Sequence, residues 1–257
     1  MKNFLLKSEP DKDGCIDLKG DDYHYLVRVR RLAVGEFFSA LLPGGESAVM
    51  RVISIKEGIL TCKIENQKSE SGDSHQRVIL FQALPKADKM DLIVRQAAES
   101  GIAEIVPFVS EFSVAKTSAA GQKFSRWEHL IKEARQQSGS LTATALHEPL
   151  SMNGLFSYWQ GIKKGTDAVG LMFHHEKGLE QKSLHGYLDR SPKAVVLAVG
   201  PEGGFSDKEA ALFIENGFKP FTIGENILRT ETAALYCAAA VRIILLERDT
   251  WELNKQS

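Results

Sequence analysis

The sequence predicts an α/β protein in two parts, a small β-rich unit over residues 1–70 and a mostly parallel-sheet unit over residues 71–257. Three observations predict it. Short segments rich in β-branched and aromatic residues, separated by turn residues, fill the first part. Apolar runs of strand length alternate with helical patterns in the second. Between them lies Asn66–Gln76 (NQKSESGDSHQ), a polar stretch nearly free of apolar side chains that reads as a linker.

In the first part, Glu36–Leu42, Ser47–Ile55 and Ile59–Ile64 read as strands, punctuated by Pro43-Gly44-Gly45 and Glu57-Gly58. They suggest a small barrel or sheet. Upstream, Asp21–Arg31 (DDYHYLVRVRR) reads as a helix with Asp21 as its N-cap. On such a helix His24, Arg28 and Arg31 stand at i, i+4 and i+7 and share one face.

In the second part, Val78–Leu84 is a buried strand, Ala87–Ser100 a helix stopped by Gly101, and Ile102–Val109 the next strand. Together they make a βαβ unit. Phe124–Gln137 is amphipathic, with Phe124, Trp127, Leu130, Ile131 and Ala134 at helical spacing. Ala168–Phe173 and Lys193–Val199 read as buried strands. Ser206 and Glu209 form a capping box for a helix that runs to Asn216. Phe218–Ile223 is a further strand, and Thr230 is a candidate cap for a long helix through Glu247.

Composition excludes several classes. With 43% hydrophobic and 25% charged residues the chain has the balance of a globular protein. No run approaches the roughly 18 apolar residues of a membrane span, and Met1–Pro10 lacks the pattern of a signal peptide. The expected setting is the cytoplasm, without a membrane partner. Three distant cysteines, Cys15, Cys62 and Cys237, make neither a disulfide framework nor a metal pair, and read as mostly buried thiols. The seven histidines show no metal-ligand spacing, so no metal is expected. His174-His175 reads as a strand-end pair. A net charge of −1 argues against bulk capture of nucleic acid but leaves room for a local basic surface.

Two loops carry the candidate chemistry. Val199-Gly200-Pro201-Glu202-Gly203-Gly204-Phe205 joins a strand end to a helix start, where ligands bind in open α/β sheets. Its glycines allow tight turns and close approach of a ligand to backbone, although a plain strand-to-helix turn also uses glycine. It has neither the GxGxxG nor the GK[ST] pattern of a phosphate loop. Ile223–Ala233 (IGENILRTETA) makes a second such junction. There Arg229, Thr230, Glu231 and Thr232 crowd around a helix N-terminus, and Arg229 supplies a positive group suited to a carboxylate or an electron-rich base edge. A simple cap with a surface ion pair is the plainer alternative.

The two loops, one helix and one strand apart, resemble the C-terminal signature of the RsmE family of bacterial methyltransferases, which modify N3 of one uridine in small-subunit (16S) ribosomal RNA. The resemblance extends to Lys89-Met90-Asp91, Gln96, Glu99-Ser100-Gly101, Ile105-Val106-Pro107, Trp127 and Gln137-Ser138-Gly139, and so covers essentially the whole chain. It implies a SPOUT-type knotted (trefoil), mostly parallel-sheet domain preceded by a small PUA-like β-barrel domain. It further implies S-adenosylmethionine as cofactor, in a wall made of Phe173, Val199, Gly200, Pro201, Glu202, Gly203, Gly204, Ile223, Gly224, Leu228, Arg229, Thr230, Thr232 and Ala233. A homodimer is implied as well, for which apolar portions of Leu235–Leu246 are available, although a buried core helix explains them equally.

For the chemistry, Arg229 is the candidate that stabilises an anionic base. Glu231, or else Glu202, is the candidate proton acceptor or loop organiser. The target base must be unpaired or extruded, because N3 lies on the pairing edge. Tyr23, His24, Arg28, Arg30 and Arg31, with Lys86 and Lys89, are the candidate RNA-binding residues; a solvated helix face is the alternative. The chain departs from the family pattern in the run Arg135-Gln136-Gln137-Ser138-Gly139-Ser140, which lacks both the Glu and the Arg of the family's Glu-Gln-Ser/Cys-Gly-Arg, at Asn226 in place of Arg, and at Val29-Arg30-Arg31, where the family has a Val-Leu-Arg run. Alternative readings are a binding-only ribosome-assembly factor, a SPOUT enzyme acting on another nucleotide, and a nucleotide-dependent oxidoreductase.

Overall fold

The computed structural model describes residues 4–43, 46–68, 76–113, 117–174 and 181–255. The chain folds as two compact units, residues 1–72 with 135–143, and residues 73–134 with 144–257.

The first unit is a five-stranded sheet in the order β1-β3-β4-β5-β2, formed by β1 (Phe4–Leu5), β2 (Cys15–Leu18), β3 (Phe37–Leu41), β4 (Ser47–Lys56) and β5 (Ile59–Lys68). All pairings are antiparallel except β1 with β3. The alternation of buried and exposed residues along β4 follows from the two-residue period of a strand, and Ala48, Met50 and Val52 point into a core with Phe4, Phe38, Leu26 and Leu60. Register shifts at Val49/Met50 and Val52/Ser54 mark irregularities in the β4–β5 ladder.

The helix expected over Asp21–Arg31 is shorter and wound differently. A turn, α1 (Gly20–Tyr23), starts after Lys19 and passes into a π-helix over His24–Val29, closed by Arg30 N–H donating to Tyr25 O at 2.9 Å. Asp21 is therefore a first-turn residue and not the N-cap. Arg31 lies beyond the helix at φ 58, so the wider π turn and this left-handed residue remove the i, i+4, i+7 face. The first three residues of the expected linker, Asn66–Lys68, extend β5; residues 69–75, Gly44-Gly45 and His175 lie outside the described residues.

The second unit is a six-stranded parallel sheet in the order β11-β9-β10-β6-β7-β8. Its strands are β6 (Arg77–Ala83), β7 (Glu104–Phe108), β8 (Ala145–Leu146), β9 (Ala168–Phe173), β10 (Ala194–Val199) and β11 (Lys219–Phe221). Its helices are α2 (Lys89–Glu99), α3 (Thr117–Ser138, of which residues 135–138 fall to the first unit), α4 (Met152–Gly165), α5 (Leu184–Tyr187), α6 (Asp207–Glu215) and α7 (Thr230–Lys255). Helices cover both faces, so the central strands are predominantly apolar, with Gln82 of β6 a buried polar exception. Along β6, Val78 and Leu80 join the core with α2, α3 and α7, whereas Ile79, Phe81 and Ala83 join the core with α4 and α6. Gly101 takes φ 69 just past α2, as expected of a helix stop. The short β1, β2, β8 and α5 and the longer α4 carry no strong sequence pattern; α4 is capped by Ser151, whose hydroxyl accepts from Gly154 N–H. Among the described residues no helix is long and apolar enough to cross a membrane.

Candidate active site

The parallel strands end on one edge, and there β10 hands over to the loop Gly200–Phe205. A Cβ on Gly200 would stand 3.0 Å from the Gly204 carbonyl carbon, and Gly204 itself sits at φ +72, so the turn closes on itself only with glycine at both places. Gly204 N–H donates to Pro201 O at 2.9 Å. The loop leads into α6 through the expected capping box: Ser206 Oγ accepts from Glu209 N–H, and Glu209 Oε2 accepts from Ser206 N–H at 3.0 Å. The other oxygen of Glu209 accepts from Glu111 N–H at 2.8 Å, which ties in the loop after β7. Phe112 on that loop lies across Gly203, where a Cβ would meet the Phe112 Cβ at 3.0 Å.

The second loop leaves β11, passes Gly224 at φ +76 and enters α7. Thr230 is not the cap of α7. The Arg229 carbonyl accepts the first helical bond, from Ala233 N–H at 2.7 Å, and Thr230 is already helical. Its hydroxyl instead donates to Gly200 O at 2.6 Å and accepts from Gln82 Nε2 at 3.0 Å, joining the two loops.

Between the loops lies a cleft of about 500 Å3, taken to its open mouth. Phe173, Val199, Pro201, Ile227, Leu228 and Ala233 give it apolar walls, with Gly200, Gly204, Thr230, His174 and Glu202 completing the lining. At the rim, Lys89 Nζ bridges Glu202 at 2.9 Å and Glu231 at 3.5 Å, one carboxylate from each loop. Both Glu202 oxygens also accept from Lys86 N–H, at 3.0 and 3.3 Å. Partial burial pushes the Glu202 carboxyl up, but the Lys89 and Lys86 hydrogen bonds outweigh it and hold it below the usual carboxylate range. The Glu202 hydrogen bond in turn raises Lys89.

Nine of the residues expected in the cofactor wall line this cleft: Phe173, Val199, Gly200, Pro201, Glu202, Gly204, Leu228, Thr230 and Ala233. Five do not. Gly203 faces Phe112, Ile223 packs into the core, and Gly224, Arg229 and Thr232 are exposed. His174 and Ile227 belong to the lining as well, although they are not among the residues expected in the cofactor wall. Ile227, 81% exposed, stands inside the second loop motif. His174 follows the end of β9 at Phe173, where the sequence reading puts a strand-end histidine pair. Arg229 and Glu231 are two positions apart on the chain but differ in setting: Arg229 is exposed, Glu231 half-buried against Lys89.

Of the candidate RNA-binding residues, His24, Arg28 and Arg31 are exposed on the first unit, Arg30 is half-buried, and Tyr23 packs on that unit's core. Lys86 and Lys89 belong to the second unit, and the Lys89 ammonium is engaged by the two cleft carboxylates. Cys15 is half-buried and Cys62 and Cys237 are buried, all as free thiols; burial pushes the Cys62 thiol up to about 12. Among the described residues no cluster of three or more His, Cys, Asp or Glu is placed to hold a metal.

A parallel-sheet unit with a ligand cleft at its strand ends, following a small curled sheet, defines the class, and sequence comparison names it. Residues 73–242 match the model of the RNA methyltransferase domain, and residues 18–65 that of the RNA methyltransferase PUA domain. The chain belongs to this RNA methyltransferase family. It is 31% identical to ribosomal RNA small subunit methyltransferase E of Synechocystis, over 94% of this chain and 77% of that protein. The Aquifex aeolicus protein of the same name is also 31% identical, over 90% and 95%. Among solved structures, ribosomal RNA small subunit methyltransferase E of Neisseria gonorrhoeae, bound to S-adenosyl methionine, superposes with a TM-score of 0.80 at 24% identity, covering 95% of this chain and 98% of that one. The SPOUT class with a PUA-like first unit, implied by the family resemblance, thus holds.

Proposed function

We propose that this protein transfers a methyl group from S-adenosylmethionine to N3 of a uridine in small-subunit ribosomal RNA, in the cytoplasm and as a homodimer. The observation that carries the reading is the cleft itself: both motif loops, in a chain of the RNA methyltransferase family, converge on one lined space at the strand ends. Relatives across most of the chain bear the name ribosomal RNA small subunit methyltransferase E.

The lining fits this cofactor. Phe173, Val199, Leu228 and Ala233 suit a flat aromatic base, and few polar groups interrupt them. The carboxylates of Glu202 and Glu231 at the rim suit hydroxyl-bearing or cationic groups and repel a phosphate, which counts against a dinucleotide. When bound, S-adenosylmethionine supplies an electrophilic methyl group on a sulfonium.

The chain's own residues have three tasks. Residues 1–70 serve as the RNA-holding domain, with His24, Arg28, Arg30 and Arg31 as phosphate contacts, and residues 71–257 as the catalytic domain. Arg229, exposed beside the start of α7, stabilises the anionic form of the base once its imide proton leaves. Glu231 accepts that proton. Both oxygens of Glu202 are taken up by Lys86 N–H and Lys89, whereas Glu231 has the longer contact with Lys89, so Glu202 organises the loop and Glu231 is the freer acceptor.

The test is transfer of labelled methyl from S-adenosylmethionine to small-subunit RNA or subunits from cells lacking the protein, followed by mass mapping. Label on one uridine, as 3-methyluridine, is expected. Label on another base overturns the nucleotide assignment, and no label overturns the activity.

A further inference from the structure

Gln82 is the most completely buried polar residue among those described, at 0% exposure, in a strand whose neighbours Phe81 and Ala83 are equally buried and apolar. It faces Val199 on β10 and Pro107 on β7, and neither pairing needs an amide. Its Nε2 donates to Ala83 O at 2.9 Å and to Thr230 Oγ1 at 3.0 Å, while its Oε1 is buried without a hydrogen-bond partner among the described residues. An unpaired buried acceptor is costly, and an apolar residue of that size would avoid the cost.

The sense of these bonds is set by chemistry. The Ala83 carbonyl only accepts, so the amide nitrogen must be the atom that faces it. The Thr230 oxygen therefore accepts from Gln82, and its proton is directed to Gly200 O, 2.6 Å away. The result is a one-way relay from Gln82 through Thr230 to Gly200. Thr230 and Gly200 line the cleft from opposite loops, and Gln82 lies beneath them without lining it.

We propose that Gln82 is a positioning residue for methyl-donor binding. Through the Thr230 hydroxyl it holds the Gly200 carbonyl, and with it the 199–205 loop, in the shape that receives the donor. This rests on the reading of the cleft as the S-adenosylmethionine site. Because the amide works by orienting a hydroxyl, its loss degrades binding without loosening the core, where a methionine fills the same space.

The experiment titrates S-adenosylmethionine into the full chain by calorimetry and records ligand-free melting for the same variants. Gln82→Met is expected to melt at or above the unaltered chain and yet bind the donor roughly tenfold more weakly, the loss of one oriented buried hydrogen bond. Thr230→Val, which lacks the hydroxyl, is expected to bind roughly tenfold more weakly than the unaltered chain, and Thr230→Ser, which keeps it, more tightly than Thr230→Val. The double variant Gln82→Met/Thr230→Val is expected to be no weaker than the weaker single one, since both act through one relay. Donor affinity unchanged in Gln82→Met, or losses that multiply in the double variant, overturns the proposal. If Gln82→Met does not fold, equal binding by Thr230→Ser and Thr230→Val overturns it instead. No binding by the unaltered chain overturns the donor-site reading itself, and this proposal with it.

Discussion

Lys89 holds one carboxylate from each cleft loop, Glu202 at 2.9 Å and Glu231 at 3.5 Å. Arg229 stays exposed at the start of α7, outside that ion-pair bridge. On the proposed mechanism its removal is expected to cost turnover and leave stability unchanged. Arg229→Ala is expected to lower kcat for methyl transfer by roughly a hundredfold or more while the melting temperature stays within about a degree. Kinetics and a thermal melt on the same preparation check it; near-normal turnover removes Arg229 from the mechanism. At this scale the sequence brings nine of the fourteen expected wall residues to the cleft and says little about what each touches. Thr230 reads as a helix cap because a threonine at a helix start usually is one. Its hydroxyl goes to Gly200 because the loop lying 30 positions earlier presents a carbonyl 2.6 Å away.

Elements are legible where their pattern is strong. Strands β9 and β10 and the capping box of α6 follow from apolar runs and Ser206/Glu209 spacing. The π-helix over His24–Val29 is not, since its sequence differs little from that of an ordinary helix. Two element-scale consequences are measurable. On β9, a Cβ at Gly170 would come 2.9 Å from the Phe218 ring, which packs in turn on Trp159 and Phe213. Gly170→Ala is expected to destabilise the second unit by about 1–3 kcal/mol through overpacking, read as a lower denaturant midpoint with unchanged m.

At the opposite ends of the strands, Glu104 of β7 accepts hydrogen bonds from Arg77 of β6 and Tyr158 of α4 and pairs with His147 at 3.0 Å. Burial raises the Glu104 carboxyl, but His147, Tyr158 and Arg77 together outweigh it and bring it to about 2 from an ordinary 4.5. The folded value lies below the unfolded one, so the unfolded chain binds the proton more tightly. The stabilisation, on the order of 3 kcal/mol, is present above pH 4.5 and is lost as pH falls through about 2. Glu104→Gln is expected to flatten the dependence of unfolding free energy on pH between 4.5 and 2; an unchanged slope assigns the effect elsewhere.

For the whole molecule, α7 carries Tyr236, Ile243 and Leu246 at 51%, 54% and 41% exposure along one stretch of helix, an apolar stripe on its surface. A homodimer that covers this stripe is expected. Ile243→Asp should convert it to monomer in light scattering without unfolding it, and a monomeric unaltered chain would exclude the dimer.

Strand runs, glycine turns and motif spacing are local properties of the chain, so the class of fold, the two loops and the family are legible without any knowledge of long-range contacts. Only the tertiary structure decided which loop residues face the cleft, that Thr230 and Gln82 bind the loops together, and that Lys89 joins their carboxylates. These are contacts between residues up to 148 positions apart. Spacing along the chain carries no record of such contacts, because the sheet order and the path of α7 create them.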